Sequence, residues 1–234
     1  DEWIEGKLMQ KIAMENNLSE TAFFVKRNDG YEIRWFTPQC EVDLCGHATL
    51  ATSHLIMFYL DPSKDQITFH SKSGDLKIRK EEDRIVMRFP AVEGESVSDY
   101  ALLAEALGKK PVEVYGAEDY MAVYENEEDI RQLQPDFRKL QELDKRGVIV
   151  TAPGRHYDFI SRFFAPAVGI DEDPVTGSAH TMLVPYWAAR LDKFSLEAYQ
   201  ASSRGGSIYC GIKDAWVELS GNARLYLQGE ITTK

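Results

Sequence analysis

Two stretches, ATLATSHLIMFYL (48–60) and TGSAHTMLVPYWAARL (176–191), are apolar nearly all round and too long to be single strands. A helix without a polar face must be covered on every side, and a sheet folded about it supplies that cover. Both helices open alike. Cys45-Gly46-His47-Ala48 leads the first and Thr176-Gly177-Ser178-Ala179 the second, with the two glycines 131 positions apart. The chain therefore reads as α+β, with two similar domains that are each a mixed, mostly antiparallel sheet rolled around a central helix. The first is expected over 1–92 with its helix near 47–60. The second is expected over 93–234 with its helix near 176–190, the last strand being free to pack back on the first domain.

Periodicity supplies the remaining elements. Leu8, Met9 and Ile12 share one side of an amphipathic helix over Glu5 to Met14 that ends near Asn16-Asn17. ETAFFV and YEIRWF, separated by Asn28-Asp29-Gly30, predict a hairpin, and QITFHS, GDLKIRK and RIVMRFP predict three more strands. EGESVSDYALLAEALG predicts a capped helix. Strands are expected around Val112 to Tyr115, Tyr120 to Tyr124, Val148 to Thr151 and Tyr157 to Phe163, and near Leu196, Ile208, Ala215 and Leu225. Glu125 to Asp144 reads as a solvated helical face, and Ser203-Arg204-Gly205-Gly206 as a tight turn rather than an anion cradle.

Charge narrows the partners. The formal net charge of -11 argues against nucleic acid or an anionic membrane surface, since phosphate recognition needs a basic patch. Three cysteines, Cys40, Cys45 and Cys210, without a C-x-x-C pair suggest neither a disulfide framework nor a zinc knuckle, and fit a reducing cytoplasm. No signal peptide or membrane span is expected. His54, His70, His156 and His180 show no ligand spacing with Asp or Cys, so no metal is expected.

The two helix starts are the chemically suggestive feature. Each glycine lets backbone N–H groups approach a ligand, and each N-terminus carries the partial positive charge that suits a carboxylate. Asp173 followed by Pro174 reads equally as the N-cap and first turn of an ordinary helix. Asp171 and Glu172 are expected to face solvent or backbone, because three acids cannot converge without repulsion. His47, in a first turn, is expected as a neutral ring or as a satisfied, partly buried histidine. Glu20, taken alone, is most simply a solvent-facing turn residue; among apolar neighbours, burial would raise its pKa toward a useful general-base value. Ser178 with His180 and Asp173 lacks the G-x-S-x-G elbow of a hydrolase. Phe24, Trp35, Tyr157 and Phe163 are aromatic candidates for a pocket wall, although aromatics at strand positions are more often core.

NLSETAF (17–23), CGHATLA (45–51), RFFAP (162–166) and EDPVTGSAH (172–180), in this order, closely resemble the PhzF-like family, named for a phenazine-biosynthesis isomerase. The resemblance spans nearly the whole chain and implies the diaminopimelate epimerase-like fold with a site between the domains. It further implies that Glu20, His47 and Asp173 match the family's acid–base residues, and that Gly46, Gly177 and Ser178 match its carboxylate-binding turns. Family members begin with a strand and a Gly-Asn turn, whereas this sequence begins at or within the helix that follows them.

Epimerases of this fold use two facing thiols. Here Thr176 stands opposite Cys45, and a hydroxyl is a poor base beside a thiol, so Cys45 reads as a small packed residue. The resulting expectation is a cofactor-independent isomerase, with no cofactor and no metal, that moves a proton on a small-molecule carboxylate. A homodimer is possible. The alternatives are an epimerase or racemase using Cys45, and a binding protein without turnover.

Overall fold

The computed structural model describes residues 2–232. It begins with α1 (Gly6–Asn16), the hairpin β1 (Thr21–Arg27) and β2 (Gly30–Phe36), and the short β3 (Glu41–Val42). The first central helix, α2 (Gly46–Leu55), continues into a π-helical turn at Ile56–Leu60. A meander of β4 (Gln66–Ser71), β5 (Gly74–Glu81) and β6 (Arg84–Pro90) follows, then β7 (Glu95–Ser96), α3 (Ala101–Leu107), β8 (Glu113–Gly116) and β9 (Tyr120–Val123). Two short helices, α4 (Glu127–Arg131) and α5 (Phe137–Leu140), lead to β10 (Val148–Pro153) and β11 (Phe159–Phe164). The second central helix, α6 (Gly177–Leu191), precedes β12 (Ser195–Gln200), β13 (Gly206–Lys213) and β14 (Trp216–Gly221).

The fold is α+β, with one large mixed sheet. Its order is β1-β2-β4-β5-β6-β14-β13-β12-β11-β10-β9-β8-β7, with β3 beside β2. Most neighbours are antiparallel; β2 with β4, β9 with β10 and β11 with β12 are parallel. β14 crosses back to pair antiparallel with β6, from Trp216 opposite Pro90 to Gly221 opposite Ile85. That one strand pair joins the arc around α2 to the arc around α6.

A single apolar cluster surrounds both central helices, taking Ile56 and Met57 from the first and Met182, Leu183, Val184 and Trp187 from the second. A smaller one lies under α3, α4 and α5 against β8 to β11. Trp187 anchors the larger. Its indole N–H donates to Thr151 Oγ1 at 2.9 Å, and its ring stacks on Phe159 with centroids 5.7 Å apart. Trp187→Ala removes that volume from a site with almost no exposure, so unfolding free energy should fall by about 3–5 kcal/mol, measured by urea titration.

Several expectations need correction. The first apolar helix is not covered on every side: Ala51, Tyr59 and Leu60 are exposed, because the sheet ends at the edge strand β1 and does not close around α2. α3 has Tyr100 at its N-cap with no side-chain cap bond, and it is shorter than the run that predicted it. Glu125 to Asp144 is two short helices capped by Asn126 and Asp136, with Ile130, Leu133 and Leu140 turned into the core. Leu225 lies in no strand.

Candidate active site

α2 and α6 meet start to start. A Cβ built on Gly46 would stand 3.4 Å from the Gly177 Cα, and one built on Gly177 would stand 3.6 Å from the Gly46 Cα. A side chain at either position would fill the gap between the two backbones. The N-cap residues, Cys45 and Thr176, make no side-chain cap bond. The first-turn N–H groups of both helices are therefore open to an anionic ligand.

His47 sits at this junction. Its Nδ1 lies 3.1 Å from the Val175 carbonyl, which can only accept, so Nδ1 donates. Its Nε2 lies 2.9 Å from Glu20 Oε2 and 3.4 Å from Ser19 Oγ. The buried Oε2 of Glu20 thus has the His47 ring as its charged neighbour. Burial opposes a charged ring, but the Cys45 sulfur and the Glu20 carboxylate outweigh it and raise the His47 pKa to about 11. Burial likewise works to raise Glu20, and the imidazolium outweighs it, leaving that carboxyl below its ordinary value. Both directions reverse the expectations of a neutral ring and a raised Glu20. A carboxylate in contact beats a helix dipole, which acts as only about half a charge.

The two groups bound the pH range of the pair. Raised above its ordinary 6.5, His47 adds stability that is fully present below that pH and lost as pH climbs through about 11. Glu20, lowered from 4.5, adds stability present above that pH and lost on further acidification. The His47 ring resonances should consequently stay flat from about pH 6 to 9 in an NMR titration. A midpoint near 6.5 would contradict the ion pair.

Asp173 is buried, with one carboxylate oxygen accepting from the Thr176 hydroxyl and the other, Oδ1, without a partner. Burial pushes its pKa up; the charge of His47 and the Thr176 hydroxyl oppose this without cancelling it. It is not a helix cap: α6 starts three residues later than Pro174, and no backbone N–H of α6 bonds to Asp173. Of its neighbours, Asp171 is exposed as expected. Glu172 is not simply solvent-facing, since it forms a two-pronged pair with Arg162 at 2.7 and 3.0 Å.

Ser178 Oγ accepts a 3.0 Å hydrogen bond from Arg146, itself clamped by Asp119, which leaves the serine proton free to donate. Gln200, fully buried, bonds the Thr176 N–H at 2.7 Å, the Asp173 carbonyl at 2.7 Å and the Thr176 hydroxyl at 3.0 Å. Sequence reasoning missed both Arg146 and Gln200. They are ordinary polar residues on other strands and loops, and only the fold brings them near 173–178.

Glu20, Cys45 and His47 present ligand atoms within 4.8 Å of one another, the one such metal-capable group among the described residues and a convergence the histidine spacing did not suggest. Two helix starts pointing at it favour an anion over a cation. Of the remaining histidines, His70 pairs with Asp75, His54 stacks on Phe58 and His156 is exposed. Trp35 and Phe163 are core, and none of the four aromatic candidates lines the cleft beside His47.

Residues 1–233 match the family described as phenazine biosynthesis-like protein. The chain belongs to this PhzF family. It is 50% identical over 232 residues to an uncharacterized isomerase of Pseudomonas aeruginosa, covering 99% of this chain and 89% of that one. A PhzF family structure from Enterococcus faecalis superposes with a TM-score of 0.97 at 45% identity, over 99% of this chain and 90% of that one. A hydroxyproline epimerase from Agrobacterium vitis shares the fold, with a TM-score of 0.62 at 10% identity over 95% of this chain and 80% of that one.

In this PhzF-family isomerase the four motifs meet. NLSETAF sets Ser19 and Glu20 just ahead of β1, CGHATLA opens α2, and EDPVTGSAH opens α6. RFFAP lies on and after β11, where the Phe163 carbonyl accepts from the Asp173 N–H at 3.0 Å. No helix among the described residues is long and apolar enough to cross a membrane.

Cys45 is buried, and burial raises its thiol pKa, so it is a protonated thiol at neutral pH. Iodoacetamide at pH 7.5 should label exposed Cys40 and spare Cys45 and Cys210, as read by peptide mass spectrometry. Cys45→Ala should keep most of the catalytic activity. Its loss would revive a thiol mechanism.

Proposed function

We propose that this isomerase works without a cofactor and moves a proton between two carbons of a small carboxylate-bearing substrate. The observation that carries the reading is two buried carboxylates converging on His47 and the two helix starts, Glu20 paired with His47 at 2.9 Å and Asp173 with its Oδ1 left without a hydrogen bond. A buried polar atom without a partner is costly, and a ligand supplies the missing partner.

The first-turn N–H groups at Gly46 and Gly177, together with the Ser178 hydroxyl, hold the substrate carboxylate. Glu20 is held ionised by His47 and takes a proton from the substrate carbon; the electron pair left behind delocalises toward the carboxylate. A low-pKa base is weak, so the reaction depends on the helix donors and the imidazolium stabilising that negative charge as it forms. Glu20 then returns the proton to a different carbon. Asp173, with the opposite shift, is the group suited to be an acid or a hydrogen-bond donor, since environments that drive two carboxyls apart in pKa divide their roles. We further propose two domains, 1–92 and 93–234, with the site between them; the start-to-start contact of α2 and α6 supports this division.

Incubation with candidate unsaturated or hydroxylated carboxylic acids in D₂O, followed by NMR, tests the reading. Deuterium entering one carbon without inversion supports it. Inversion of configuration supports an epimerase, and absence of uptake with tight binding supports a non-catalytic protein.

A further inference from the structure

A cleft of about 680 Å³ opens beside His47 and the Gly46–Gly177 junction. Leu50, Met87, Val175, Ile208 and Leu219 supply apolar wall, and the volume falls within the range of about 300–1,000 Å³ usual for small-molecule sites. Glu20, Asp173 and Ser178 do not line it, so the proton-transfer reading makes no use of most of this space.

Two further observations indicate what fills it. His180, on α6, lines the cleft with its side chain wholly buried. Its Nδ1 lies 2.7 Å from the Thr176 carbonyl, which can only accept, so the ring proton is on Nδ1. Nε2 is therefore a lone-pair acceptor, and it has no partner. Burial lowers the ring's pKa to about 4, which keeps that acceptor available throughout the neutral range. Arg204 and Arg224 line the same cleft. Each lacks an ion pair or hydrogen bond within the described residues, in a chain where 38 acidic residues face 27 basic ones. Arg204 is close enough to Asp173 to oppose the rise in its pKa, yet the two form no pair. Two unpaired guanidinium groups suit the planar, two-pronged recognition of a carboxylate.

We propose that this cleft is a substrate subsite for a second anionic group, met by Arg204 and Arg224, on an apolar body whose hydroxyl or N–H donates to His180 Nε2. The substrate class is then a small organic dianion, with one carboxylate at the helix starts and the other at the arginines. The inference rests on the proton-transfer reading for the placement of the first carboxylate.

Calorimetric titration of the whole chain with benzoate, isophthalate and 5-hydroxyisophthalate tests it. Isophthalate should bind at least tenfold more tightly than benzoate, and the Arg204→Ala/Arg224→Ala double variant, changed only at exposed positions, should lose that advantage. The hydroxyl should add a further severalfold, lost in His180→Phe while isophthalate itself still binds. Equal binding of benzoate and isophthalate, an unchanged advantage in the double variant, no binding of any probe, or a hydroxyl effect that survives His180→Phe would each overturn the subsite. Any of these in protein that still exchanges deuterium overturns the subsite alone. Wild-type protein that binds isophthalate as described but exchanges no deuterium with any acid overturns the proton-transfer reading instead.

Discussion

Glu20→Gln should lower the rate of deuterium exchange by about 10²–10⁴-fold, the usual contribution of a positioned general base, and should also lower the melting temperature, because the stabilising charge beside His47 is lost. Glutamine keeps the shape of glutamate, so the start of β1 and the contact with His47 remain. What it loses is the capacity to take a proton and the charge that raises the His47 pKa. The variant therefore has a second signature. With the carboxylate gone, the Cys45 sulfur alone of the two raising groups remains, so His47 should titrate below the wild-type value of about 11 in the NMR titration. A variant that exchanges deuterium at the wild-type rate removes Glu20 from the chemistry whatever the histidine does.

Asp173→Asn should cost on the order of 10²-fold in kcat with an unchanged or slightly higher melting temperature. The asparagine oxygen still accepts from the Thr176 hydroxyl, and the variant no longer buries an ionisable group whose charged form is disfavoured there. Asp173→Ala separates the roles further. Because the residue does not cap α6, alanine forfeits one hydroxyl contact rather than a helix start, and about 0.5–1.5 kcal/mol of stability should go with it. Near-normal kcat in Asp173→Asn would leave Glu20 and His47 to carry the proton alone.

Local pattern made the strands and central helices legible. QITFHS, GDLKIRK and RIVMRFP are short strand-like runs bounded by turn residues and became β4 to β6 with boundaries within a residue or so, and the matched Gly-headed openings located the starts of α2 and α6. What stayed hidden depends on contacts distant in sequence. Nothing near Glu20 announces that a histidine 27 positions on will lie against its carboxylate, so the sign of both pKa shifts was out of reach. Asp-Pro is an ordinary helix opening, and only the turn held by Gln200 shows that α6 starts later and that Asp173 belongs to the site. Glu172 looked solvated because its partner, Arg162, lies on β11. Leu225 sits in a run with strand-like composition, but strands are defined by pairing, and among the described residues that run pairs with none.

The position of β14 in the sheet also bears on how the protein is made. It is the last strand in chain order among the described residues, yet it lies between β6 and β13 and supplies the sheet's only connection between the two arcs. Domains emerge from the ribosome N-terminus first, at about 5–20 residues per second, so β1 to β6 must wait beside an unpaired β6 edge until Trp216 to Gly221 has been synthesised. An exposed strand edge is a template for wrong pairing with other chains. Newly made protein thus carries an open β6 edge, a site for aggregation, until Gly221 has been made, and the junction of Gly46 with Gly177 can be locked in place only after that.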